Sequence, residues 1–274
     1  MQHGSVTTAT VAAGLPAVSA TPQRFWEIDL ARTVAIVMMV AYHAVYDIEL
    51  LVPGLGPDPF RGAWGGLPEA TGGSFLVVAG VSLAVVDGRL RARGASAATR
   101  VRRHLRHAGV VLAAGAVVSL ATWLAFDDRF VRFGILHMIA VGVVVGAVAV
   151  GLGAWNLVLG AAAIGIGVLV ADEPTASAVL GVVGLDEQGF SSVDHWPVLP
   201  WIGPVLIGIA VGSLLYPRGE RSRRIAAVSS LSPAAWLSAP GRRSLAVYLA
   251  HQLVLIPVVW VVLAMAGADV PSPR

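Results

Sequence analysis

The sequence contains no cysteine and no lysine, and only 13% of its 274 residues carry a charged side chain. Without cysteine, the chain forms no disulfide, no thiolate metal site and no cysteine nucleophile. Soluble domains carry roughly 25% charged residues, so the low fraction argues against a water-soluble core. No zinc-type motif and no phosphate-binding loop is found, and the scattered histidines do not support a haem or hydride-transfer enzyme. We therefore expect no bound metal.

Hydrophobic residues make up 56% of the chain instead, and they form long runs between clusters of charged residues. A membrane-spanning helix needs ~20 mostly apolar residues. The runs predict an all-α, polytopic transmembrane helix bundle with about seven spans. The predicted spans are 28–50, 68–87, 105–126, 133–152, 154–171, 198–216 and 243–266. Only Gly153 and its neighbours separate the fourth span from the fifth, which is typical of a tight hairpin.

Arginine is concentrated in two links, 89–106 and 218–243. Arginine-rich links stay in the cytoplasm, and seven spans place both links on the same side. This predicts a cytoplasmic N-terminus, a C-terminus outside, and a location in a prokaryotic plasma membrane. The net charge of +3 does not indicate a nucleic-acid partner, because the arginines lie in short links between apolar runs.

The ends of the chain differ from its body in composition. Residues 1–23 lack the basic start and apolar run of a cleaved signal peptide, and predict a disordered cytoplasmic tail. Residues 24–266 form the transmembrane domain, and 267–274 a short outer tail. We also expect a short surface helix within 172–197 and an amphipathic one within 217–242.

Ionisable side chains inside a membrane span are costly, so each is a candidate functional residue. In the first span, Asp29 and Arg32 are three residues apart and share a helix face, either as a ligand site or as an ordinary ion pair. His43 and Asp47 are four apart, and a carboxylate beside an imidazole fixes its tautomer and raises its basicity. This spacing predicts a functional pair, with a packed histidine bound to a neighbouring helix as the alternative.

Three further clusters contain candidate residues. Arg132 and His137 lie at the outer end of the fourth span and are candidate ligand contacts; the alternative is that Arg129 and Arg132 form a snorkelling arginine pair at an interface. Asp194 and His195 precede Trp196, in a pattern equally typical of an interfacial aromatic belt. The last cluster is in the seventh span, where interhelical hydrogen bonding is the alternative to ligand binding. It comprises Arg242, Arg243, Tyr248, His251 and Gln252.

Five segments, in order along residues 24–255, together resemble the heparan-α-glucosaminide N-acetyltransferase-like family of membrane acyltransferases. They are Arg24–Ile36 with the following Tyr42-His43 and Tyr46-Asp47, then Phe75–Ser82, Arg132–His137, Asp194–Trp201 and Gly241–Gln252. The chain departs from the family at Thr33, where glycine is usual. It also has His43 where the eukaryotic branch has asparagine, and residues 51–67 lack the histidine of that branch.

The resemblance implies transfer of an acetyl or similar acyl group from cytoplasmic acyl-CoA to a hydroxyl or amine on the outer face, on a sugar or glycoconjugate. His43 would act as general base or transient acyl carrier, with Asp47 orienting it. The acceptor-binding residues would be Arg132, His137, Asp194 and His195. The donor-binding residues would be Asp29, Arg32, Arg242, Arg243, Tyr248, His251 and Gln252. Acyl-CoA would be the co-substrate, and a homodimer is left open.

Two other classes of function remain open at this point. Polar residues at several depths also fit a transporter or exporter of a small molecule or lipid-linked substrate. A non-catalytic membrane scaffold would use the same residues only to satisfy one another. A cavity between the arginine-rich side and His43 favours transfer, whereas a path open to each side in turn favours transport.

Overall fold

The structure is a computed structural model that describes residues 24–231 and 235–271. The predicted cytoplasmic tail, 1–23, and the last three residues of the predicted outer tail lie outside the described residues. The described part of the chain is mostly helical and has almost no strand, so the predicted all-α fold is confirmed.

Nine α-helices follow one another along the described ranges. Their bounds are α1 Trp26–Leu51, α2 Gly62–Ala92, α3 Ala97–Phe126, α4 Ile135–Ala149, α5 Asn156–Val170, α6 Ala178–Val183, α7 Val198–Leu215, α8 Ala239–Arg242 and α9 Ser244–Met265. Short 3₁₀ helices cover Asp127–Arg129, Val150–Trp155, Pro217–Gly219 and Arg223–Ser230. A two-residue parallel pair joins β1 (Pro174–Thr175) to β2 (Asp186–Glu187). The predicted surface helix within 172–197 is therefore present as α6.

Six stretches of the described chain are long and apolar enough to cross a membrane, and one of them is Ile135–Val170. At 36 residues this stretch contains both α4 and α5, and it turns at Gly153, whose φ is 55°. The Asn156 side chain holds the turn, because its Nδ2 donates to the carbonyl oxygens of Ala149 and Gly153 at 2.9 Å each.

The contacts that α4 and α5 make with α7 show in which direction each of these two helices runs. Gly142 of α4 abuts Val205, and Gly146 abuts Ile209, so α4 runs parallel to α7. In α5 the order of contacts is reversed, because a residue early in α5 contacts one late in α7, and a residue late in α5 contacts one early in α7. The contacts are Gly160 with Ile207 and Gly167 with Pro200. The helices α5 and α7 are therefore antiparallel. Seven long helices thus cross the described bundle, with α4 and α5 antiparallel, while seven membrane crossings stay a prediction.

A close backbone contact joins α2 to α7 through glycine. A Cβ atom at Gly80 would overlap the carbonyl oxygen of Val205, and one at Gly208 would overlap that of Val77. Small residues allow such backbone approach between membrane helices. Gly80 and Gly208 therefore allow α2 and α7 to pack closely.

Both arginine-rich links lie at one end of the bundle, called here the arginine-rich end. The Arg89 Nε donates to the Gly219 carbonyl at 3.0 Å and thereby joins the two links. Glu27, at the start of α1, accepts two hydrogen bonds of 2.8 Å from Arg221. The hydrogen bond to Glu27 stabilises the charged form of the Arg221 guanidinium and thereby raises the pKa of Arg221. That this end faces the cytoplasm stays a prediction.

Candidate functional site

A cavity of about 920 Å³ lies between α1, α2, α3, α4 and the start of α9. Its arginine-rich end is strongly positive, and Asp29 is the carboxylate among its lining residues in the described chain. The lining arginines are Arg24, Arg32, Arg89, Arg102, Arg103, Arg106 and Arg242. The cavity therefore begins as a cationic mouth.

Deeper in the bundle the lining becomes apolar. Val111, Leu136, Ile139 and Val143 contribute to this wall. On α2 the lining extends from Arg89 to Phe75, which is ~21 Å of helix at ~1.5 Å per residue. The cavity thus joins a charged mouth to a long hydrophobic bore.

The arginines at the mouth are of two kinds. Arg32 is held within the protein, because its Nη1 donates to Asp29 at 2.7 Å and its Nη2 donates to Ser82 at 2.6 Å. The predicted pairing of Asp29 with Arg32 is confirmed. The second kind is exposed and forms no hydrogen bond or ion pair with other described residues; it comprises Arg102, Arg103 and Arg106. This second set is available to an anionic ligand.

A buried carboxylate that the sequence reasoning did not single out fixes the start of α3. Asp87 is 3% exposed and accepts from Arg91 Nε at 2.5 Å and from Arg100 Nε at 3.0 Å. His104 Nε2 lies 3.5 Å from the same carboxylate and also lines the cavity. The four-residue spacing from Asp87 to Arg91 could have indicated this ion pair from the sequence. The contacts of Asp87 with Arg100 and His104 of α3 depend on the fold.

Thr33 and Gly241 connect α1 to α8, which directly precedes α9. The Gly241 N–H donates to Thr33 Oγ1 at 3.0 Å, and Thr33 in turn donates to the Asp29 carbonyl at 3.1 Å. A Cβ atom at position 241 would overlap that carbonyl oxygen, so glycine is required there. Arg242 follows and lines the cavity, whereas Arg243 is exposed and is not among the lining residues.

His43 and Asp47 do not form the pair that their spacing predicts. The His43 Nδ1 lies 2.9 Å from the carbonyl oxygen of Met39, which is one turn earlier in α1. Asp47 is fully buried and accepts instead from Gln252 Nε2 at 3.2 Å. No hydrogen bond joins His43 to Asp47 in the part of the chain described, so the expectation that Asp47 orients the imidazole directly is corrected. A carbonyl can only accept, and so Nδ1 carries the proton.

A second imidazole completes the cluster. The His251 ring lies edge-on to His43, with 4.8 Å between centroids. Its Nδ1 donates to the Tyr248 carbonyl, and its Nε2 is buried without a hydrogen-bond partner. Tyr248 lines the cavity, and its ring lies 5.4 Å from that of His251, so His251 adjoins the lining. His43 is not a lining residue and lies next to His251. His251 and Gln252 themselves are not lining residues.

The residues predicted to face the outside, called here the outer residues, are engaged with one another and with the start of α4. Arg132 Nη1 lies 2.7 Å from both carboxylate oxygens of Glu187, and its guanidinium lies 3.9 Å from the centre of the Phe190 ring. Asp194 accepts from the Ile135 N–H at 3.0 Å and from the Trp196 indole N–H. These contacts attach the outer link to the first turn of α4.

Two histidines belong to the same outer region. His137 Nδ1 accepts from the Gly134 N–H at 3.3 Å, at the start of α4. The His195 ring lies 5.3 Å from that of Phe190, and burial lowers its pKa. Burial also raises the pKa of Asp194, to about 6, against the effect of its two hydrogen bonds. No hydrogen bond or ring contact among the described residues joins this region to His43, and its role in acceptor binding stays a prediction.

This arrangement can be compared with known families. The profile described as "Heparan-alpha-glucosaminide N-acetyltransferase, catalytic" matches residues 24–253. The chain belongs to this family. The matched range contains the whole cavity lining and the His43–His251 pair, and the resemblance seen in the sequence is confirmed. A search of curated proteins and a search of solved structures each returned no match. Membership indicates a membrane-bound transferase.

Proposed function

We propose that the chain moves an acetyl or similar acyl group from cytoplasmic acyl-CoA to a hydroxyl or amine on the opposite face of the membrane, on a sugar or glycoconjugate. The observation that carries this proposal is the cavity. Its cationic mouth and apolar bore match the two halves of an acyl-CoA. The bore is lined by Tyr248, whose ring adjoins the imidazole of His251, and His251 in turn contacts His43.

Donor binding follows from charge and shape. Guanidinium groups bind phosphate oxygens through charge-assisted hydrogen bonds, often in pairs. The exposed arginines of α3 would bind the phosphates, and the thioester arm would extend along the apolar bore. The thioester would then lie near Ile135 and Tyr248, which are lining residues far from the mouth.

His43 would act as general base. With its Nδ1 proton donated to Met39, the Nε2 lone pair remains free to take a proton from the acceptor. The acceptor oxygen or nitrogen then attacks the thioester carbon, the carbon–sulfur bond breaks, and the proton ends on the coenzyme A sulfur. The carboxylate of Asp47, one turn away on α1, would stabilise the imidazolium.

The shape of the cavity also bears on the transport alternative. A transporter requires a path that opens to each side of the membrane in turn. Among the described residues, the lining runs from the arginine-rich end to Ile135 and Tyr248. A lining with cationic residues at the arginine-rich end and an apolar interior fits a donor pocket better than a conduction path.

The test is transfer of radiolabelled acetyl from acetyl-CoA, in membranes containing the full chain, to supplied amino sugars, polyols and glycolipids. His43→Ala should lower the rate by about 10²- to 10⁴-fold, the usual contribution of a general base, and should leave acetyl-CoA binding intact. Ser213→Ala in α7, which does not line the cavity, is the matched control. A folded His43→Ala protein with full activity would contradict the assignment.

A further inference from the structure

Tyr248 is the aromatic residue of α9 that lines the cavity. Its ring packs with Val111, Leu136 and Ala140 of α3 and α4 on one side. On the α9 side it meets the His251 imidazole, with 5.4 Å between ring centroids. The ring is thus fixed where the apolar bore approaches the two histidines.

The Tyr248 hydroxyl forms no hydrogen bond with any described residue. Tyr248 is half-buried, and a phenol in mostly apolar surroundings usually finds a hydrogen-bond partner, because an unmatched hydroxyl there costs free energy. The nearby carboxylate of Asp194 is within electrostatic range of this phenol, but its oxygens already accept from Ile135 and Trp196. The hydroxyl proton is therefore available to a ligand in the cavity.

Three other hydroxyls of the described lining are less suitable. Thr99 lies in the first turn of α3, and its hydroxyl is 2.9 Å from Ser96 Oγ, in hydrogen-bond contact. Ser82 accepts from Arg32 and donates to the Val78 carbonyl, so its hydrogen-bonding capacity is used. Ser244 has no hydrogen bond in the described chain, but it lies one turn before Tyr248, ~6 Å nearer the arginine-rich end. A thioester at the deep end of the bore would therefore meet Tyr248 first.

We propose that Tyr248 is a catalytic residue whose hydroxyl donates a hydrogen bond to the thioester carbonyl oxygen of the bound acyl-CoA. This inference rests on the proposed function.

When the acceptor attacks, the carbonyl carbon becomes tetrahedral and its oxygen gains negative charge, which the phenol stabilises. The tetrahedral species then collapses as the carbon–sulfur bond breaks, and the acceptor's proton passes to sulfur. Tyr248 keeps its own proton throughout. Donors placed at such an oxygen typically contribute ~10²- to 10³-fold in rate.

The decisive test needs no acceptor. Acetyl-CoA and S-ethyl-coenzyme A differ in the carbonyl oxygen, and calorimetric titration of the full chain in detergent gives both affinities. A hydrogen bond of ordinary net strength predicts that the wild type prefers acetyl-CoA by roughly 2- to 10-fold. Tyr248→Phe should abolish that preference, and Ser244→Ala should retain it.

Infrared spectroscopy supplies a readout that does not depend on any variant. The stretching frequency of a ¹³C-labelled acetyl carbonyl should fall when acetyl-CoA binds the wild-type protein, because a hydrogen bond weakens the C=O bond. An unshifted band, an equal affinity for both ligands, or a preference that survives Tyr248→Phe would overturn the inference while leaving the proposed function standing. Failure of both ligands to bind would overturn the proposed function itself.

Discussion

Arg102, Arg103 and Arg106 give the sharpest prediction about donor binding. All three are exposed at the mouth of the cavity and form no hydrogen bond or ion pair with other described residues. Their contribution to the fold should therefore be small. Replacing all three by glutamine removes three positive charges from the mouth, and we expect it to weaken acetyl-CoA binding without unfolding the protein.

The size of the effect follows from exposure. Because water and salt screen exposed ion pairs, each arginine should contribute only about 0.5–1 kcal/mol rather than the larger value of a buried contact. Three together amount to about 1.5–3 kcal/mol, which is a loss of roughly 10- to 150-fold in affinity. The affinity of the wild type should also fall more steeply with salt concentration than that of the triple variant.

The chain offers a matched control at the same end of the bundle. Arg218, Arg223 and Arg224 are equally exposed but do not line the cavity. Their replacement by glutamine changes the net charge by the same amount. Calorimetric titration at two salt concentrations compares the two triple variants. Equal losses in both, or no loss in the first, would refute the reasoning, because affinity would then depend on general charge or on another site.

Two further predictions concern stability. Gly208→Val should lower the apparent unfolding temperature, because overpacking typically costs about 1–3 kcal/mol. Gly165→Val is the control and should leave that temperature unchanged, because nothing lies within 4 Å of a Cβ atom at this position. Equal effects of the two substitutions in thermal unfolding would contradict the α2–α7 packing. Asp194 has a pKa of about 6, above its usual 3.8, so its contribution to stability is complete below about pH 4 and is lost as pH rises through about 6. Asp194→Asn should flatten that fall in unfolding temperature, and an unchanged profile would exclude Asp194 as its source.

Much of the fold could be predicted from the sequence because a membrane span is a local property of about 20 residues. The helix starts differ most in α3, which begins at Ala97 rather than near residue 105, and in α2, which begins at Gly62 rather than near residue 68. Asp29 and Arg32 were predicted correctly as a pair, since both belong to one helix face. The hairpin at Gly153 was likewise visible as a short interruption between two apolar runs.

The partners of the candidate site residues were harder to predict, because they come from distant parts of the chain. Glu187 is 55 residues from Arg132, and the Gln252 amide is 205 residues from Asp47. Spacing within α1 suggested a bond from Asp47 to His43, but the Met39 carbonyl is nearer to the imidazole. Helical periodicity shows which residues share a face, and it does not show which neighbouring helix that face meets.

The central claim is that the cavity binds acyl-CoA, and the most direct measurement is the thermal shift of the purified, detergent-solubilised chain with acetyl-CoA. Coenzyme A and an unrelated nucleotide such as ATP serve as comparisons. A ligand that binds only the native state at 100 times its Kd stabilises it by ~2.7 kcal/mol. The account predicts a clear shift with acetyl-CoA that ATP does not reproduce. No shift at millimolar acetyl-CoA, from protein shown to be folded, would contradict it.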